Sequence, residues 1–260
     1  MTYETITLGI ANQIATITLN RPERLNACPP NMADEISHAV DNLDDARVLV
    51  IRGEGRAFCS GADLAARGDR AIGGGQGAYI ALTQHYNPLI LKLARLNLPI
   101  ITAVQGPAAG VGCSLALSGD FVVAGKSGYF LQAFVNIGLV PDGGSTWLLP
   151  QLVGKARATR MMMLGEKIMG EQAEAWGLIY KCVEDDALAD EVATLAAKLA
   201  SGPTLSYAIM RKNILIALEH GLADTLLAEA EGQLQAGASA DAAEGGMAFI
   251  QKRKAAFKGA

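Results

Sequence analysis

The chain has 260 residues, half of them apolar, with 22 basic against 26 acidic side chains and a formal charge of −4. That length supports one large domain, or a main domain with a smaller appendage, and a substantial core. The mildly acidic balance offers no basic footprint for nucleic acid or an anionic membrane surface. No apolar run approaches the roughly 20 residues needed to span a bilayer, and MTYETITLGI lacks a basic stretch followed by an apolar core. The expectation is a cytoplasmic protein with neither nucleic-acid nor membrane partners. Cys28, Cys59, Cys113 and Cys182 lie far apart without CxxC spacing, which predicts reduced thiols among small or apolar neighbours and no metal site.

In chain order, ETITLGIANQIATITLNRP alternates β-branched and polar residues around a Gly/Asn break and predicts an antiparallel hairpin. NMADEISHAVDNLDDA sets Met32, Ile36, Ala39, Val40 and Leu43 on one helical face, and RVLVIRGEG follows as a short apolar strand. The alternation continues with a helix at YIALTQHYNPLILKLARL, a strand at LPIITAVQG, a helix at GVGCSLALSG, a strand at DFVVAG and a helix from TWLLPQLVG through KARATRMMMLG. Such alternation predicts an α/β domain. From about Pro203, a residue suited to a first helical turn, only helical patterns follow: PTLSYAIMRKNILIALEHG, LADTLLAEAEGQLQ and AAEGGMAFIQKRKAAF. The glycine-rich ARGDRAIGGGQGAY, residues 66–79, reads as a flexible connection or a lid over a site; it lacks the Lys-Ser/Thr ending of a phosphate loop.

Two glycine turns leave strands with small residues: AFCSGADL, residues 57–64, and GPAAGVGCSLAL, residues 106–117. One reading is close packing of backbone on backbone. The other is that the N–H groups of Ala62 and Val111 converge on one oxygen, with the helix beginning near Gly110 adding its positive end. In NIGLVPDGGSTW, residues 136–147, Asp142 stands between an apolar run and two glycines. It either caps a helix or holds a turn, or it exchanges a proton with a bound molecule.

With NRPERLNA (20–27), FCSGADL (58–64), AVQGPAAGVGCSLALSGD (103–120), GLVPDGGSTWLLPQLVG (138–154), AEAWGLI (173–179) and AFIQKRKAAF (248–257) in this order, the sequence resembles the crotonase (enoyl-CoA hydratase/isomerase) superfamily along nearly its whole length. The resemblance implies an α/β fold, the ClpP/crotonase-like spiral of ββα units over residues 1–200, with a helical region at 201–260 used for assembly into a homotrimer or a dimer of trimers. It implies an acyl-CoA thioester substrate, coenzyme A arriving as part of that substrate, and no separate cofactor. The thioester oxygen then falls to the Ala62 and Val111 amides, Val111 standing where glycine is usual. Ser60, Gly61, Asp63, Leu64, Gly110 and Phe134 fall around the acyl group. Asp63 is expected to act structurally at a helix start. Arg24 and the backbone of Leu25 and Ala27 resemble adenine and pantetheine contacts, and Lys252 and Arg253 resemble residues that reach CoA phosphates.

The two glutamates of the family's hydratases correspond to Ser114 and Phe134, so the ordinary hydration pair is missing. VPDGGSTW looks most like the ring-epoxide isomerases of bacterial phenylacetyl-CoA breakdown, in which an aspartate at this place is the sole catalytic carboxylate. The resemblance therefore implies an acyl-CoA isomerase with Asp142 as acid/base, its pKa raised by burial beside Phe134, Leu139, Val140 and Trp147. A hydratase or other lyase and a non-catalytic acyl-CoA-binding protein are the alternatives. Hydrolytic aryl-CoA dehalogenation fits less well, because the histidine and tryptophan it needs correspond to Asn87 and Phe134. His85 reads as a surface or satisfied core histidine, and Trp147 and Trp176 as core.

Overall fold

The computed structural model describes residues 2–63 and 74–260. Strands β1 (Ile6–Ala11) and β2 (Ile14–Leu19) form the predicted antiparallel hairpin. Their two linking residues, Asn12 and Gln13, both take positive φ (51° and 62°), the geometry of a tight turn that matches strand twist. Helix α1 (Pro30–Val40) follows, with proline at its start and Met32, Ala33, Ile36, Ala39 and Val40 buried. Strand β3 (Val48–Gly53) then runs parallel to β2.

The predicted helix after the glycine-rich segment is three pieces: α2 (Gly74–Ala81), a π-helical turn (Leu82–Tyr86) and α3 (Asn87–Ala94). Residues 74–79, read from sequence as loop, are therefore helical. The rest of the predicted loop or lid, up to residue 73, lies outside the described residues. Strands β4 (Ile100–Val104) and β5 (Pro107–Ala109), helix α4 (Val111–Ala116), and strands β6 (Phe121–Gly125) and β7 (Tyr129–Leu131) come next. Helix α5 (Ser145–Leu164) is interrupted at Gly154 (φ 74°, ψ 162°). After it stand β8 (Ile168–Met169), α6 (Gly170–Trp176), β9 (Lys181–Val183) and α7 (Leu188–Ala200).

Six strands form one sheet in the order β1-β2-β3-β4-β6-β9, parallel from β2 onward, and β5-β7-β8 form a second. Every residue of β4 is buried, as expected of a central parallel strand covered on both faces. On one face Val48, Val50, Ile101, Ala103 and Val123 pack against Leu188, Val192, Leu195, Ala196 and Leu199 of α7. On the other, Leu49, Ile51, Val104 and Ala124 join Met32, Ile36, Phe58, Leu93 and Cys113 in the larger core. The second sheet runs alongside the first: the bridge from Cys59 to Ala108 links the segment after β3 to β5.

The C-terminal part is helical: α8 (Thr204–Glu219), α9 (Leu222–Gly237) and α10 (Ala240–Ile250). Pro203 sits at the N-cap of α8, one position before its expected place. The buried Arg47 ties this part to the sheet, donating from Nε to Thr204 Oγ1 (2.7 Å) and from a terminal nitrogen to Gly202 O. The last predicted helix ends early, at Ile250 rather than Phe257. The tail folds back so that the buried Asp241 carboxylate accepts from Lys258 N–H (2.7 Å) and Gly259 N–H (2.8 Å). Those amides satisfy the polar atoms of the buried Asp241 carboxyl and hold the returning tail against α10. All four cysteines are free thiols, Cys28, Cys59 and Cys113 buried and Cys182 half-buried. Among the described residues no helix is long and apolar enough to cross a membrane.

Candidate active site

The two glycine turns meet. A Cβ placed on Gly61 would lie 3.0 Å from Ala109 O, and one on Gly110 would lie 3.8 Å from Gly61 Cα. Both glycines hold positive φ, 109° and 53°, a backbone angle that disfavours a side chain at either, and at Gly61 the close approach adds to it. The first turn is fixed by Cys28, whose N–H donates to Gly61 O (2.7 Å) and whose carbonyl accepts from Asp63 N–H (3.1 Å). Because an extended chain alternates its polar groups, the N–H of Ala62 between them faces the other way. Val111 is the first residue of α4, where amides have no partner inside the helix. Among the described residues neither of these N–H groups finds an acceptor in the protein.

Asp142 reaches this place through a run of local causes. After β7 a 3-10 helix (Ala133–Ile137) ends at Gly138, and Gly143 and Gly144, both at positive φ, turn the chain into α5. A Cβ on Gly143 would lie 2.6 Å from the Ser114 Cβ, so only glycine lets the Asp142 turn lie on α4. Ser114 Oγ donates to Asp142 O (3.1 Å) and shares a hydrogen bond with Ser145 Oγ (2.9 Å), to which Gln132 Nε2 donates (3.1 Å). Ser114, Gln132 and Ser145 are all buried, and this polar chain holds the backbone of Asp142 while leaving its carboxyl free.

Asp142 Oδ1 is buried and, among the described residues, without a hydrogen-bond partner. The N-cap of α5 is Gly144, with no side-chain cap bond, so the capping alternative for Asp142 fails. Burial pushes its pKa from 3.8 up to about 6, with no charge among the described residues contributing. The group is thereby poised to hold and release a proton near neutral pH.

Asp142, Ala62 and Val111 line one cavity of about 380 Å³, together with Ser60, Gly61, Asp63, Gly110 and Phe134. Its other wall residues include Pro30, Ile80, Leu82, His85, Tyr86, Ile137 and Leu139. Most of its polar side chains are committed elsewhere. Tyr86 O–H donates to Cys28 O (2.7 Å), and Asp63 pairs with Arg21 (2.8 Å). His85 Nδ1 lies 2.8 Å from Asp34 Oδ1. The contributions of His85 and Tyr86 escaped the sequence reading, since a regular helical period gives no sign of the π-helical turn that carries them.

Other expected residues stand elsewhere. Arg24 is exposed, and Leu25 and Ala27 flank the first turn without lining the cavity; Leu25 O accepts from Ser60 N–H (3.0 Å). Lys252 is exposed, and Arg253 is paired with Glu244. Leu64 lies outside the described residues. Two of the four neighbours expected to bury Asp142 do not: Val140 is 79% exposed, and Trp147 is exposed beside a second, smaller cavity. Ile137 and Val111 line the cavity with Asp142 instead. Trp147 is therefore not core, and Trp176 is half-buried, with the guanidinium groups of Arg157 and Arg160 5.2 and 5.5 Å from its ring centre.

Comparison with known proteins identifies the family. The enoyl-CoA hydratase/isomerase family profile matches residues 9–260. The chain is 41% identical to the 1,2-epoxyphenylacetyl-CoA isomerase of Escherichia coli K12, covering 98% of this chain and 99% of that one. It is 42% identical to a probable enoyl-CoA hydratase of Rhodobacter capsulatus over the whole of both chains. Among solved structures, a putative enoyl-CoA hydratase from Streptomyces coelicolor A3(2) superposes with a TM-score of 0.93 at 32% identity, covering 100% of this chain and 96% of that one. The expected crotonase fold is present, mixed α/β with a central sheet and a helical C-terminal region. The chain is an enzyme belonging to the enoyl-CoA hydratase/isomerase family.

Proposed function

We propose that the protein is an acyl-CoA isomerase in which Asp142 moves a proton between carbons of the acyl group while the Ala62 and Val111 amides bear the thioester oxygen. The observation that carries this reading is the buried Oδ1 of Asp142, without a partner among the described residues, in the same apolar cavity as two N–H groups without acceptors among them. Removing a proton next to a thioester carbonyl places charge on that oxygen, and two fixed backbone donors stabilise it; losing one such donor typically slows reactions about 10²–10³-fold. A single carboxyl near pKa 6 serves both halves of a double-bond shift, accepting the proton at one carbon and returning it at another. The same constellation would assist rearrangement of an aryl epoxide, the branch supported by 41% identity to an enzyme named for that activity.

Water addition is the second reading, favoured by the name of the Rhodobacter relative. Against it stand Ser114, bound into the polar chain behind Asp142, and Phe134, which has no proton to exchange. Turnover of 3-enoyl-, 2-enoyl- and phenylacetyl-epoxide-CoA in heavy-oxygen water separates the two. An isomer without label is expected, whereas a labelled hydroxyacyl product, or turnover of none, overturns the isomerase reading.

The CoA moiety is assigned to Arg24, Leu25 and Ala27, beside the first turn, with Lys252 reaching phosphate. No cofactor beyond the substrate's own CoA is required by this chemistry. Leu222, Leu226, Leu227, Leu234, Phe249 and Ile250, exposed on α9 and α10, support assembly into a homotrimer or a dimer of trimers, which sedimentation equilibrium tests. An intracellular setting suits free thiols and a CoA substrate.

A further inference from the structure

We propose that His85, oriented by Asp34, recognises a hydroxyl group carried by the acyl part of the substrate. This rests on the reading that the cavity takes the acyl group of a thioester. Apart from Asp142, His85 offers the cavity's clearest uncommitted side-chain polar atom: its Nδ1 is held by Asp34 (2.8 and 2.9 Å to the two oxygens), and among the described residues Nε2 has no partner. Tyr86 and Asp63 are occupied by Cys28 O and Arg21. The π-helical turn brings His85 and its neighbour Tyr86 both into the wall, and such turns occur frequently at functional sites.

The His85–Asp34 pair has little to contribute to stability. The two side chains are 27% and 54% exposed, and ion pairs of that exposure are worth little. Its consequence is instead to fix the ring. An ionised carboxylate only accepts, so Nδ1 carries the proton and Nε2 is left to face a ligand. Neutral, Nε2 accepts a hydrogen bond; in the imidazolium it donates one. A hydroxyl both donates and accepts and so matches either form, which neither an alkene nor an unsubstituted ring can do. Ile80, Ala81 and Leu82 nearby are apolar and offer such a group no competing side-chain partner.

The test is calorimetric binding of thioesters with no double bond to move: phenylacetyl-CoA and its 2-, 3- and 4-hydroxyphenyl derivatives, against wild type, His85→Phe and Asp34→Ala. At least one hydroxylated thioester is expected to bind wild type about 3- to 10-fold tighter than phenylacetyl-CoA, the gain of one hydrogen bond. That ratio falls to about one in His85→Phe and shrinks in Asp34→Ala. In wild type the His85 Nε2 resonance shifts with the preferred hydroxylated thioester and not with the parent. A ratio of one or less for all three derivatives in wild type, or a preference kept in His85→Phe, overturns the proposal while leaving the thioester reading intact. An equal loss for all ligands in His85→Phe marks a structural role and overturns it too. Failure of every thioester to bind wild type overturns the thioester reading itself, and this proposal with it. Should His85→Phe not fold, Asp34→Ala and the wild-type resonance carry the same decision.

Discussion

Asp142→Asn should cost the enzyme its activity and relieve the fold of a burden, with the relief appearing only as pH rises. Burial lifts the Asp142 pKa from 3.8 to about 6, a difference of roughly two units. At about 1.36 kcal/mol per unit this corresponds to about 3 kcal/mol of penalty on the charged native form. The sign follows from which state holds the proton. Below pH 3.8 the carboxyl is protonated both folded and unfolded, and no penalty exists. Between 3.8 and 6 the unfolded chain gives up its proton first, so native stability falls as pH rises. Above 6 the full penalty is present. Asparagine cannot ionise, so the wild-type unfolding free energy minus that of Asp142→Asn should drop by about 2–3 kcal/mol between pH 4 and pH 8. Any constant cost of burying the amide cancels in that comparison. Urea denaturation of both proteins across this range measures it, alongside turnover, which should fall about 10²–10⁴-fold. A stability difference that does not change with pH would refute the claim that the carboxyl is desolvated, and turnover kept in the variant would refute its role.

The kcat/KM of wild type should rise with pH through about 6, since Asp142 must be ionised to take the first proton; a profile flat from pH 5 to 8 would contradict this. Ser145→Ala, which breaks the link between Gln132 and Ser114, should lower kcat about tenfold with little change in KM and destabilise the fold by about 1–3 kcal/mol, read from steady-state kinetics and denaturation. Gly143→Ala forces a Cβ to within 2.6 Å of Ser114 at a φ of 58°, so it should displace the Asp142 turn and remove activity, with a lowered melting temperature. Phe58→Ala, in the fully buried core below the first turn, should cost about 3–5 kcal/mol of stability by denaturation.

Much of the architecture could be read in the chain because it is written in short periods. The two-residue alternation of β1 and β2 and the apolar run of β3 reported their own burial, as did the helical spacing of Met32, Ile36 and Ala39. Strands of two or three residues such as β5, β7 and β8 complete no period, and their pairing depends on partners far along the chain. The same limit hid the π-helical turn at Leu82–Tyr86 and the retreat of α10 from its expected end.

For the candidate site, the chemical groups were already legible in the chain: one acid among glycines, two small-residue turns, and a serine and a phenylalanine, Ser114 and Phe134, near them. Residue types and local turn geometry are properties of neighbouring residues, and they survive in one dimension. The folded arrangement alone reveals that Gly61 and Gly110 come together, that Asp142 Oδ1 is buried without a partner among the described residues, and that His85 shares its cavity. Desolvation and hydrogen-bond satisfaction depend on segments such as Ser114 and Asp142, or Asp34 and His85, which are separated in the chain and brought together by folding.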